Sequence, residues 1–315
     1  MNRLPSAWRG RRSSDRSAER GQVLVIFALA LVAIVAMTGL VLDGGATFVQ
    51  RRDMQNVADA AAMSAGYGYS LTGTTAAADI AAQSTATSNG YVPGSGGVVY
   101  SLTWDAAGGA GRHFTVNQTK PHANNFAGIV GMSTWNVSTT ATIEAGWPNA
   151  AIGAMPIIFN KKAFQGNGAG ALNEVSYDEP DPGNQDVPIT ATKFNWTEYC
   201  NCNADSATVR NLIDNGGDAR TISLSDHISP LNNGSHTTLF SSMANWIGSE
   251  FAVPVVDDNG NMVGWATFHL TGSVGGSTKQ IRGYFVSPIN PTAMTIVDSA
   301  TPGGNYGSYT VKLTN

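Results

Sequence analysis

Charge is scarce in this sequence: Asp, Glu, Lys and Arg make up 13% of its 315 residues. Six arginines (Arg3, Arg9, Arg11, Arg12, Arg16, Arg20) fall in the first 20 residues, which leaves an acidic balance in all that follows. Such a dilute, net acidic body has no basic footprint to release counterions from a phosphate backbone, so nucleic acid is not an expected partner. Cysteine is nearly absent, with Cys200 and Cys202 alone, and neither CxxC nor HxxxH spacing accompanies them. Zinc wants four ligands at suitable spacing. The pair therefore reads as a disulfide in an oxidising compartment, closed across one residue in a tight ring, with free thiols or a metal as the alternatives.

Catalytic signatures are also missing. The five histidines (His113, His122, His227, His236, His269) are scattered, and there is no GxSxG elbow. His227 lies between Asp226 and Ser229, but a triad is defined by geometry, and turn chemistry accounts for these residues as well. The acidic run Tyr177–Asp186 holds Asp178, Glu179, Asp181 and Asp186, which could offer oxygen ligands to calcium. It lacks EF-hand spacing, and Pro180 and Pro182 fit a solvated loop. The glycine-rich stretches GNGAG and GSVGG lack the lysine and the strand-to-helix context of phosphate loops. No catalytic group, cofactor, metal or small-molecule substrate is expected.

What the chain does have is a long apolar run. Between Gln22 and Asp43 lie twenty uncharged residues, of which Thr38 alone is polar. As a helix they are roughly 30 Å long, the thickness of a bilayer's hydrocarbon core. A cleaved signal peptide has a shorter core and a small-x-small site followed by loop, whereas helical sequence continues here. The arginine cluster precedes the run, so the positive-inside rule puts the N-terminus in the cytoplasm and residues from about 44 outside. After the span, residues 43–66 project Phe48, Arg52, Gln55, Asp59 and Ala62 onto one side of a helix and Met54, Val57, Ala58, Ala61 and Ala65 onto the other. That pattern predicts an amphipathic stalk. Its polar stripe of Arg52, Gln55 and Asp59 either docks a partner or merely solvates the helix.

The text from Arg20 to Gln22, the LDGG at the end of the span and the run RRDMQNVADAAAMSAG together resemble the N-terminal segment of TadG-like and TadE-like proteins of the Flp (Tad) pilus assembly system. Asp43, Gly45, Arg52, Gln55, Asn56, Asp59, Ala60, Ala61 and Ala62 carry the likeness after the span. An alanine-rich helix near 75–88, strands near 98–104 and 112–118, the turn FAGIVGM and the strand WNVSTTATIEA continue it more loosely. The resemblance implies a role in building or anchoring a pilus through contacts with the membrane and with other pilus-assembly proteins or pseudopilins. Asp43, Arg52, Gln55 and Asp59 are its candidate docking residues. Two departures stand out. Ile26 occupies the place of the glutamate at the fifth mature position of prepilins, which counts against processing after Gly21, and the DxSxS metal motif of longer TadG-like proteins is absent.

Beyond residue 155, short runs such as TISLS, FAVPVV, GWATFHLTG, IRGYFV and YTVKLT alternate with Gly, Asn and Pro clusters, and helices are expected near 205–215 and 236–246. Alternation in WATFHL and RGYFV predicts sheets with one buried face. The expected organisation is α+β: a basic cytoplasmic segment (1–21), a transmembrane helix (22–42), a stalk with a small α+β domain (43–146), a linker (147–155) and a β-rich extracytoplasmic domain (156–315). The expected function is that of a membrane-anchored pilus-assembly or envelope-scaffold component. An anchored surface enzyme or a calcium-dependent adhesin is the alternative.

Overall fold

The computed structural model describes residues 16–105, 111–164, 173–179, 188, 190–200, 204–230, 236–289, 291–297 and 303–314. Most of the basic segment 1–21, Cys202 and the acidic residues Asp181 and Asp186 lie outside them. Two compact units are distinguished: the chain up to Met54 with Thr119–Ser138, and Gln55–Gln118 with Thr139–Asn315.

The first helix, α1 (Arg16–Thr72), runs unbroken from the apolar run into the stalk and contributes to both units. It is the one helix among the described residues long and apolar enough to cross a membrane. In the first unit the side chains of the apolar run are largely exposed, as a lipid-facing helix requires, apart from Gly39, which is covered. The same unit holds the tip of a hairpin made by β2 (Gly111–Ala123) and β3 (Thr134–Gly146), joined through a 3-10 turn at Ala127–Val130.

In the second unit, the end of α1 meets α2 (Thr75–Ser88). Thr74 caps α2 from an extended backbone, its side chain accepting from Ala77 N at 3.3 Å. Small residues then let the two helices approach closely: Ala58, Ala61, Ala62 and Ala65 are buried with Ala78 and Ala82, and a Cβ on Gly68 would sit 2.7 Å from Ala77 O. Ala62, expected on the polar side of the stalk, therefore belongs to its buried face. A four-stranded sheet ordered β1-β2-β3-β14 covers these helices, with β1 at Val99–Trp104 and β14 at Thr310–Leu313. Its last strand comes from the end of the chain, Val311 pairing with Ala145 antiparallel.

The stretch expected as a linker, 147–155, holds strand β4 (Ala150–Ala154), mostly buried. The following elements are β5 (Ile157–Asn160), β6 (Val175–Asp178), β7 (Phe194–Glu198), α3 (Ser206–Asp214), β8 (Asp218–Ser223), β9 (Ser229–Pro230), α4 (Thr237–Ala244), β10 (Glu250–Val256), β11 (Met262–Val274), β12 (Gln280–Val286) and β13 (Met294–Thr295). Among the described residues they form a seven-stranded mixed sheet, β6-β12-β11-β10-β5-β7-β9, and a three-stranded sheet, β13-β4-β8. One face of the large sheet carries an aromatic core in which the Phe159 ring lies 4.9 to 5.1 Å from those of Tyr177, Phe268 and Phe285. Its other face places Ala252, Val256 and Trp265 against Ala151, Ala154 and Met294. The middle of β11 is for that reason buried on both faces, whereas one buried face was expected, and β12 retains the alternation.

Candidate functional site

The first unit is organised around Asp43, the first residue past the apolar run. Gly39, Asp43, Gln50 and Met54 follow one another at spacings of four, seven and four, which puts them on one stripe of α1. The hairpin tip lies along that stripe. Its loop closes on itself, Asn124 N donating to Ser133 O (2.9 Å) and Asn124 Nδ2 to Met132 O (2.9 Å), and Gly131 ends the turn at φ 91°. A 3-10 turn begins with N–H groups that have no partner inside it, and Phe126, which precedes this one, offers no side-chain cap.

Asp43 supplies the cap from more than 80 residues away. Its Oδ1 accepts from Asn125 N (3.0 Å), and its Oδ2 accepts from Phe126 N (3.0 Å) and Ala127 N (2.7 Å). The residue is 1% exposed. The Ala127 N–H bond holds its carboxyl below the usual carboxylate range, with burial opposing and the other two N–H groups adding to it. One turn earlier a Cβ on Gly39 would overlap the Phe126 Cβ, so only glycine admits the loop at this height of the helix. Further along, Gln50 Oε1 lies 2.7 Å from His122 Nδ1, while Gln50 Nε2 reaches Lys120 O at 3.4 Å. Gln50 and His122 thus join the site, although neither carries a local sequence signal.

The other docking candidates are placed differently. Arg52 is exposed. Gln55 and Asp59 are half-buried, Gln55 Nε2 donating to Asp59 Oδ1 (2.8 Å) and to Thr140 O (3.0 Å). Asp43, by contrast, is buried and bonded to the loop.

Among the described residues, Asp226, His227 and Ser229 do not bond to one another as a triad. Asp226 accepts from Ser223 N (2.7 Å), Ser229 Oγ donates to Cys200 O (2.5 Å), and His227 is exposed. Cys200 is disulfide-bonded. Among the described residues no group of three or more His, Cys, Asp or Glu could hold a metal ion. Of the acidic run, Asp178 pairs with Gln280 Nε2 at 2.9 Å. Glu179 is buried and accepts from Trp196 Nε1 (2.9 Å), with His236 Nδ1 at 2.5 Å and Lys279 Nζ at 3.8 Å. That cluster ties β6, β7, β12 and α4 together. It was not legible in the sequence, where Glu179 and His236 stand 57 positions apart.

Residues 21–87 match the family model described as "Putative Flp pilus-assembly TadE/G-like". The matched stretch contains Asp43 and the stalk but ends before the loop that Asp43 caps. No curated protein and no solved structure matches the chain.

Proposed function

We propose that this chain, TadE/G-like over residues 21–87, is a membrane-anchored component of Flp-type pilus assembly that works through protein contacts rather than by catalysis. The family match is the observation that carries the reading. The apolar part of α1 serves as the anchor, with the arginine-rich segment in the cytoplasm and residues from 43 onward outside. The docking surface is the polar stripe of the stalk. Arg52 leads it, because its side chain is exposed, while Gln55 donates both to Asp59 and to the Thr140 carbonyl of β3. A fixed polar group beside alanine-rich helix can set register and partner choice.

The stripe is tested by isolating the chain from membranes with whatever it holds. Replacement of an exposed helical residue such as Arg52 by alanine is expected to change stability by less than about 0.5 kcal/mol. Recovery of other pilus-assembly proteins with Arg52→Ala should nevertheless fall well below that with the unaltered chain. Equal recovery at equal expression would reduce Arg52 to a solvating group.

A further inference from the structure

We propose that the loop at residues 124–133 is a second membrane contact, lowering its apolar tip into the outer part of the acyl layer beside α1. This rests on the reading of the apolar run as a membrane span. Gly39 lies three residues before the end of that run, about 5 Å inside it along the helix axis. Phe126 sits so close to Gly39 that a Cβ there would overlap its own, which fixes the loop at that depth. A segment held there meets lipid, not water.

The loop has the composition such a position demands. Residues 123–133 contain no charged side chain. At the tip Ile129 is 80% exposed, Met132 52% and Phe126 39%. Isolated exposed hydrophobics need no explanation, but three on one uncharged turn at the height of a membrane span make a continuous apolar surface with α1.

Backbone groups give the second argument. Unbonded N–H groups are costly in hydrocarbon, so non-helical chain enters it only when its polar groups are satisfied internally. Asp43 takes the N–H groups of Asn125, Phe126 and Ala127. Those of Asn124, Ile129, Gly131 and Met132 find carbonyls within the loop, at Ser133, Phe126, Gly128 and Ala127. The carboxylate that caps the turn therefore also makes the turn compatible with lipid, and the three donors spread its charge.

The experiment uses the full chain in vesicles of phosphatidylethanolamine and phosphatidylglycerol, with acyl chains either plain or brominated. An environment-sensitive fluorophore is attached at Ile129→Cys, and in a second protein at Val32→Cys in the middle of the span. Labelling is done without reductant because Cys200 is disulfide-bonded. Ile129 is exposed, so its replacement leaves the loop's own bonds intact. Brominated lipid should lower the emission of both labels, that at 129 by roughly half. Quenching at 32 with none at 129 would overturn the loop's insertion and show its tip in water or under a protein. Quenching at neither position would overturn the span itself, and the loop's insertion with it.

Discussion

Replacing Asp43 with alanine is expected to release the loop at 124–132 while leaving α1 helical. Alanine is the better helix former, so the helix loses nothing at that position. Three N–H groups, however, lose the one acceptor they have, at bond lengths of 2.7 to 3.0 Å. Hydrogen bonds to a charged acceptor are about twice as strong as neutral ones, and a donor left buried without a partner bears its full desolvation cost. Amide exchange at Asn125, Phe126 and Ala127 should accelerate at least about tenfold, with the amides of α1 around residue 43 unchanged. Asp43→Asn should fall between, because the carboxamide turns its NH2 toward one donor. The acid dependence follows from the lowered carboxyl. A depressed folded value contributes stability above the ordinary carboxylate range, and that contribution is lost as pH falls through the folded value, so loop protection should fail only below about pH 4. Unchanged exchange at 125–127 in Asp43→Ala would show that the loop is held by something else.

The second large effect belongs to the β-rich body. Glu179 accepts from the indole of Trp196, a fully buried side chain whose ring lies 5.2 Å from Phe194 and 5.3 Å from Phe240, and it faces His236 and Lys279 as well. Truncating it to alanine removes the carboxylate oxygen that the buried Trp196 N–H and the His236 ring both face. Breaking a buried charged cluster from one side costs about 3–5 kcal/mol, far more than its net contribution would suggest. Glu179→Ala should therefore unfold at clearly lower denaturant, whereas Glu179→Gln, which keeps an acceptor for Trp196, should lose less. A loss under about 1 kcal/mol for the alanine variant would mean that the cluster tolerates solvent and does not tie the strands.

Local pattern and long-range geometry divide what could be read in advance. The long apolar helix, its continuation into the stalk, the alanine-rich α2 and the turn at 127–130 were legible, because apolar length, helical spacing and small-residue runs are written in consecutive residues. α3 and α4 were legible for the same reason. Asp43 was visible as a residue of a family pattern, but its partners are backbone N–H groups, which carry no side-chain signal. Ala62 was assigned to the wrong side of the stalk because an alanine fits either a polar face or a tight helix contact, and only the presence of α2 decides between them. Residues 147–155 look like a linker from their small side chains, yet small residues are what let β4 lie close beneath the large sheet. The doubly buried middle of β11 and the return of β14 to β3 depend on pairings more than 100 residues apart, which no window along the chain contains.

The central claim, a chain anchored by α1 with its body outside the cytoplasm, is tested most directly by a reporter fused after Asn315. The arginines ahead of the span predict that a reporter active only outside the cytoplasm works at that position. Silence of that reporter, with activity of one that works only inside, would contradict the account.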